Sequence, residues 1–135
     1  MKTLIFDSWP IVEWILDKEP VSSLVDTMLI EAEAGRLVLR MSAINVGEVF
    51  YFVRKQFSES LAEEWRTSSA TLPIKIEVPT AGEIWDAANL KSKWPISYAD
   101  AFAAALAMKY HCPVVTGDPE FRKVKDLQIE WVGQN

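Results

Sequence analysis

Cysteine, long apolar runs and positive charge are all scarce in this sequence of 135 residues. The single cysteine, Cys112, excludes an internal disulfide and a zinc site built from several cysteines, a pattern that favours a reducing compartment. No run of about 18 apolar residues is available to span a membrane. The N-terminal apolar stretch stops at Asp7, before it is long enough for a secretory signal, so we expect a cytoplasmic protein.

The charge balance bears on the kind of partner that the protein binds. The formal net charge is −5, whereas proteins that bind nucleic acid through its phosphates usually carry an excess of lysine and arginine. The net negative charge therefore counts against an enzyme that acts on nucleic acid, unless bound divalent cations or a local basic patch offset it.

Apolar residues, by contrast, are abundant. Half of the residues are hydrophobic and six are tryptophan, enough for a core in the single domain that we expect over residues 1–135. We find no repeat, linker or low-complexity segment. This composition indicates a folded globular protein rather than a disordered one.

Short β-rich runs alternate with helical patterns along the whole chain. Strands are predicted at 2–6, 37–41, 74–78, 113–115 and 128–132. Helices are predicted to begin near Pro10, Pro20, Ser42, Leu61, Thr80 and Ser97. In the third helix, Val49, Val53 and Phe57 mark the helical spacing. The alternation predicts an α/β fold, a three-layer sandwich with a central, mostly parallel sheet flanked by helices.

Four acids fall where such a sheet brings distant parts of the chain together. Asp7 directly follows the first strand, and Asp118 follows the strand at 113–115 by a short turn. Glu48 and Asp100 lie in the first turns of two helices. Because the carboxyl ends of parallel strands and the starts of the following helices share one edge, the four carboxylates are predicted to converge.

Convergence of acids indicates a metal site. Crowded carboxylates repel one another, and the apolar neighbours of Asp100 disfavour its ionisation, whereas a divalent cation removes both penalties. Ligands that are all carboxylates suit Mg²⁺ or Mn²⁺, and such ions promote phosphodiester hydrolysis. Each acid alone has an ordinary explanation as a helix cap, a dipole partner or a turn residue. The conjunction of all four favours the metal site.

At these positions the sequence resembles the PIN domain family, and more narrowly the VapC toxins of bacterial and archaeal toxin–antitoxin pairs. The matching segments are Asp7-Ser8, NVGE at 45–48, YADAFAAALA at 98–107 and TGDPEF at 116–121. They occur in the family's order and cover nearly the whole chain. The last two segments are the more specific ones.

The resemblance implies an endoribonuclease that depends on Mg²⁺ or Mn²⁺ and cuts structured RNA such as tRNA or rRNA. It implies that Asp7, Glu48, Asp100 and Asp118 are the metal-binding and catalytic acids. It also implies a homodimer, and a cognate antitoxin protein that neutralises the toxin, often with a basic side chain in the acidic pocket.

Three polar residues are expected beside these acids. Ser8 belongs to the first matching segment, Thr116 matches a hydroxyl position of the family, and Asn45 is expected to orient a carboxylate or to cap its helix. The family usually has a small or polar residue after the Asp-Ser pair. Here Trp9 stands in that place, and its ring is expected to narrow the pocket or to stack on a base.

Basic residues near the predicted site are candidates for contact with RNA phosphates. Lys91 and Lys93 precede the apolar helix that carries Asp100, and Arg122 and Lys123 follow Asp118 closely. Each of them also has an ordinary explanation as a solvated surface charge. Cys112 lies on the opposite edge from the acids and is expected to be a small core residue.

Two other functions remain open from the sequence. One is a phosphatase or receiver domain, which also gathers acids at strand ends. Trp9 occupies the place where haloacid-type phosphatases need an aspartate, and Thr116-Gly117-Asp118 replaces the lysine that receiver domains need. The other is a PIN-like scaffold that binds RNA or protein and has lost catalysis, against which the retention of all four acids argues.

Overall fold

A parallel sheet of five strands forms the centre of the computed structural model, which describes residues 1–134. The strands are β1 (Thr3–Phe6), β2 (Val38–Ser42), β3 (Lys75–Glu77), β4 (Val114–Thr116) and β5 (Ile129–Trp131). Their order across the sheet is β3-β2-β1-β4-β5, and every neighbouring pair is parallel. The connections therefore reverse direction between β1 and β4, which is where open sheets of this kind bind ligands.

Six α-helices connect the strands within residues 1–134. They are α1 (Ser8–Ile15), α2 (Val21–Glu33), α3 (Ala43–Gln56), α4 (Glu59–Ser68), α5 (Ala81–Lys93) and α6 (Tyr98–Lys109), with short 3-10 helices at Ser69–Thr71 and Pro119–Lys123. Serine or threonine side chains cap four of the α-helices by accepting a hydrogen bond from a backbone N–H in the first turn. Among residues 1–134, every helix is too short or too polar to span a bilayer.

The helices form two layers, one on each face of the sheet. Leu4 and Phe6 of β1 pack in the core cluster shared with α1, α2, α3 and α4. Ile5, between them, points to the other face and packs against α6. This alternation follows from the pleat of a strand, in which successive side chains point to opposite faces. Helix α6 is buried on most sides because it lies between the sheet and α5.

The predicted three-layer α/β fold is confirmed, and the predicted elements are all present. The sheet was expected to be mostly parallel, and all of its pairs are. Cys112 is buried against α6, as expected. One position differs: Phe57 was predicted to continue the apolar spacing of α3, but α3 ends at Gln56 and the Phe57 side chain is 51% exposed.

Candidate metal centre

The four predicted acids converge at the edge of the sheet where the connections reverse. Asp7 directly follows β1 and Asp118 follows β4 by two residues, while Glu48 and Asp100 come from α3 and the first turn of α6. Carboxylate oxygens of Asp7, Glu48 and Asp100 lie within 4.8 Å of one another. All four acids line one pocket of about 340 Å³.

A fifth acid, Glu120, joins this site and was not predicted from the sequence. Carboxylate oxygens of Asp100, Asp118 and Glu120 also lie within 4.8 Å of one another, so Asp100 belongs to both groups. The 3-10 helix that begins at Pro119 turns Glu120 back towards the pocket. The Asp118 carboxylate stabilises this turn by accepting a hydrogen bond of 2.9 Å from the Glu120 backbone N–H. An Asp-Pro pair after a strand is a turn signal that could have indicated this return.

Burial and mutual repulsion make the metal-free carboxylates hard to ionise. Burial raises the pKa of Asp7 to about 7; the hydrogen bond from Thr116 opposes this shift and the negative charge of Glu48 adds to it. Burial also raises the pKa of Asp100 to about 8, with further contributions from the charges of Asp7, Asp118 and Glu48. At neutral pH the site therefore favours a bound positive charge, whether a proton or a metal ion.

The surrounding side chains provide little compensation for this negative charge. The ion pairs formed among residues 1–134 involve none of the five acids. Lys18 lines the same pocket, but it makes no ion pair with them. The donors gathered here are carboxylate oxygens, without histidine or cysteine, and this is the set that hard divalent cations such as Mg²⁺ and Mn²⁺ prefer. The residues present thus fit a metal ion of that kind.

Thr116 connects two of the acids. Phe6 pairs with Val115 across β1 and β4, which places Thr116 beside Asp7 at the end of the sheet. The fully buried Thr116 hydroxyl donates a hydrogen bond of 2.8 Å to Asp7 Oδ2 and accepts one of 3.0 Å from the Asp118 backbone N–H. One side chain therefore orients the Asp7 carboxylate and fixes the start of the turn that carries Asp118.

Thr116→Val is expected to lower the free energy of unfolding by about 1–3 kcal/mol, because it removes two hydrogen bonds, one of them to the buried Asp7 carboxylate. Thermal denaturation of metal-free protein measures this loss. Thr116→Ser keeps the hydroxyl and is the matched control, so it should retain most of the stability. Unchanged stability of Thr116→Val, which keeps the methyl group and loses the hydroxyl, would show that the two hydrogen bonds do not stabilise the site.

The other two polar residues predicted beside the acids also lie there. Asn45 Nδ2 donates to Glu48 Oε1 at 3.4 Å and to the backbone carbonyl oxygen of Ala99 at 3.1 Å, which links α3 to the first turn of α6. Ser8 Oγ lies 3.5 Å from Asp7 Oδ1. These contacts would let Asn45 orient Glu48 and Ser8 orient Asp7, and both roles stay predictions.

The basic residues predicted to contact RNA lie outside the pocket. Lys91 and Lys93 are exposed in the last turn of α5, and Arg122 and Lys123 are exposed in the 3-10 helix after Asp118. The Arg122 guanidinium stacks on the Trp131 ring, with its Cζ atom 3.6 Å from the ring centroid. None of the four lines the acidic pocket, so any contact with RNA would be made beyond its rim.

Trp9, expected to narrow the pocket, lines it without filling it. Its ring lies against Gly117, where a Cβ atom would come within 2.4 Å of ring carbons. Glycine at this position therefore makes room for the indole. The pocket beside the ring still measures about 340 Å³, which is within the size range of ligand sites in proteins.

Comparison with known proteins agrees with the geometry. Residues 5–127 match the PIN domain family. A comparison with curated protein sequences finds no match.

Several solved structures share the fold. VapBC2 from Rickettsia felis, bound to a promoter DNA fragment, has a TM-score of 0.72 at 16% identity, over 95% of this chain and 97% of that chain. VapC20 from Mycobacterium tuberculosis, a toxin that cleaves the sarcin–ricin loop, has a TM-score of 0.72 at 14% identity, over 88% and 92%. A toxin–antitoxin complex from Klebsiella pneumoniae has a TM-score of 0.67 at 13% identity, over 92% of this chain and 94% of that chain. At these identities the likeness establishes the fold.

Proposed function

The chain belongs to the PIN domain family, and from this premise we propose that it is a metal-dependent endoribonuclease, the toxin of a type II toxin–antitoxin pair. The observation that carries the proposal is the convergence of buried carboxylates at the β1/β4 edge with no basic partner among residues 1–134. Such a cluster is unfavourable unless it binds a cation.

Each acid has a proposed role in binding Mg²⁺ or Mn²⁺. Asp7, Glu48 and Asp100 would hold the ion as one group, and Asp118 would approach it from the turn after β4, with Glu120 beside it. When bound, the ion supplies Lewis-acid stabilisation of a phosphoryl oxygen and a more acidic water. The carboxylates would fix its position, and the hydrogen bonds of Thr116 and Asn45 would hold Asp7 and Glu48 in place for it.

The proposed substrate is RNA and the proposed partner is an antitoxin. VapC20, which shares this fold, is a toxin that cleaves the sarcin–ricin loop, and this supports an RNA of the tRNA or rRNA class. The toxin–antitoxin complex from Klebsiella pneumoniae supports a protein partner. A basic side chain from such a partner could form an ion pair in the pocket, where the acids have no basic partner among residues 1–134. We also propose that the chain forms a homodimer in the cytoplasm.

The open pocket favours this function over the inactive scaffold. Trp9 was expected to narrow the pocket or to stack on a base, yet its ring lies against Gly117 and the acids still line a pocket of about 340 Å³. The receiver-domain alternative lacks its lysine, because Thr116 ends β4 and bonds to Asp7 instead.

The proposal is tested by incubating the purified chain with total cellular RNA in the presence of Mg²⁺, Mn²⁺ or a chelator. Discrete RNA fragments are expected with either metal and not with the chelator, and metal added back in excess should restore them. Cleavage that persists in the chelator would contradict the metal mechanism. Failure of the folded, metal-saturated protein to cleave RNA would favour the scaffold instead.

A further inference from the structure

Lys18 is the one basic residue among 1–134 that lines the acidic pocket. Its side chain is exposed in the turn between α1 and α2, and it makes no ion pair with any acid in that part of the chain. The Lys18 ammonium lies instead 5.8 Å from the centroid of the Phe57 ring, within the range of a cation–π contact. A lysine in this situation is available to bind an anion that enters the pocket.

The ammonium lies at the end of the pocket away from the metal-binding acids. Helices α1 and α3 both begin at the acidic edge, directly after Asp7 and shortly before Glu48, and they pack against each other. The contact between Lys18 and Phe57, which follow these two helices, shows that they also end close together. Over the nine residues from Glu48 to Phe57 a helix rises about 13 Å. The pocket therefore has a metal-binding end and a second end formed by Lys18 and Phe57.

The charges along the pocket determine where it can accept an RNA strand. Among residues 1–134 its lining contains six carboxylates, those of Asp7, Glu13, Glu48, Asp100, Asp118 and Glu120. A bound metal ion would neutralise the acids at one end, so that a phosphate could bind there. At the other end the last carbonyl groups of α1 and α3 carry partial negative charge, and only Lys18 supplies a full positive charge. A strand that follows the pocket therefore finds one further place for a phosphate.

We propose that Lys18 binds a second backbone phosphate of the RNA, to one side of the phosphate that is cleaved, and so determines how the strand lies across the metal site. The position of the cleaved phosphate rests on the proposed function. The contact itself rests only on the place of Lys18 in the pocket and on its lack of an anionic partner. Because every nucleotide carries the same phosphate, this contact positions the strand and does not select a base.

The first test is equilibrium binding of a short single-stranded RNA in Mg²⁺ at several salt concentrations, with gel electrophoresis to confirm that the RNA stays intact. Lys18→Gln is expected to weaken binding roughly 3- to 10-fold at low salt. It should also reduce the slope of log K against log salt by about 0.7, the value for one phosphate of a single strand. Lys18→Arg keeps the charge and should retain both values. Lys75→Gln removes the same charge at the start of β3, outside the pocket, and should change neither.

The second test locates the phosphate along the strand. Single methylphosphonate linkages, which carry no charge, are placed one at a time on either side of the cleaved bond, and kcat/KM is measured for each RNA. One such linkage is expected to lower kcat/KM of the unmodified chain by about the same factor as Lys18→Gln does with unmodified RNA. The two losses should not add, because each change removes the same contact. A lysine that only supported the fold would instead lower kcat/KM by the same factor with every RNA.

The outcomes distinguish this inference from the proposed function. Binding that depends on the charge of Lys18, with the expected change in salt slope, would support the phosphate contact even if no RNA were cut, and then only the proposed function would fail. Binding and cleavage unchanged by Lys18→Gln, or losses that add for every neutral linkage, would overturn the inference while the proposed function stands. An acidic side chain of a protein partner would then be the anion left for Lys18. Thermal denaturation should show that Lys18→Gln folds normally, because the side chain is exposed.

Discussion

Asp100→Asn is expected to abolish metal-dependent RNA cleavage while making the metal-free chain more stable. Asp100 belongs to both groups of carboxylates, so its loss removes one carboxylate from each. A metal contributes several kcal/mol of charge stabilisation to a phosphoryl-transfer reaction, and we expect a loss on the order of 10³-fold in rate. Cleavage of an RNA substrate at saturating Mg²⁺ measures it.

The gain in stability follows from the burial of the same carboxyl group. Asp100 is 5% exposed and burial raises its pKa to about 8, so its ionisation at pH 8 opposes folding. Asparagine has nearly the same shape and no charge. We expect the free energy of unfolding in chelator at pH 8 to rise by on the order of 2 kcal/mol, a conservative figure because the neighbouring acids titrate together.

A surface acid provides the matched control for both measurements. Asp86 is exposed on α5 and does not line the pocket, so Asp86→Asn should change neither cleavage nor stability by much. A variant at Asp100 that lost both activity and stability would show that this carboxylate supports the fold. Unchanged cleavage by a folded Asp100→Asn protein would contradict the proposed mechanism.

The convergence of four acids could be predicted because it depends only on coarse features of the fold. Once the strands are parallel, the residue after β1 and the turn after β4 must lie at one edge, and the first turn of α6 begins there too. Glu120 depends on a finer feature, the 3-10 helix at Pro119–Lys123 that turns the chain back after Asp118. A sequence pattern indicates such a turn without giving its direction.

The exposed aromatic residues that line the pocket, Tyr51, Phe52 and Phe57, were not predicted, for a different reason. Apolar residues at helical spacing predict a helix but do not show which of two apolar sides faces the core. In α3 the side that faces the core is formed by Val49 and Val53, which are fully buried. Phe52 lies on the other apolar side, next to Glu48. Phe57 follows Val53 by four residues, which is the spacing of the buried side, but α3 ends at Gln56, before Phe57. Where a helix ends therefore decides whether an aromatic residue belongs to the core or to the pocket.

The second large effect expected is a fall in the stability of the metal-free chain as pH rises from about 4 to about 8. The folded-state pKa is raised to about 7 for Asp7 and to about 8 for Asp100, from 3.8 for both. Folded protein thus binds more protons than unfolded protein in this range. The stabilising effect is complete below about pH 4 and is lost as pH rises through the raised pKa values.

The charged groups that shift the pKa values of these two carboxyls all raise them, whereas hydrogen bonds from Thr116 to Asp7 and from Ser97 to Asp100 oppose the rise. Glu48 on α3 and Asp118 in the turn after β4 add negative charge, and Glu120 lies with Asp118, whereas no basic residue among 1–134 forms an ion pair with any of them. We expect a loss on the order of 3 kcal/mol between pH 4 and pH 8, or roughly 10 °C in Tm.

Thermal denaturation in chelator and in Mg²⁺ across this pH range tests the expectation. Metal competes with protons for the same oxygens, so Mg²⁺ should raise the Tm more at pH 8 than at pH 5 and flatten the profile. Asp100→Asn should flatten it without metal, and the Asp86→Asn profile should follow that of the unmodified chain. A metal-free Tm that rises towards pH 8 would mean that the carboxylates are stabilised as anions by the protein itself. The cluster would then have no need of a cation, and the main physical argument for the metal centre would be lost.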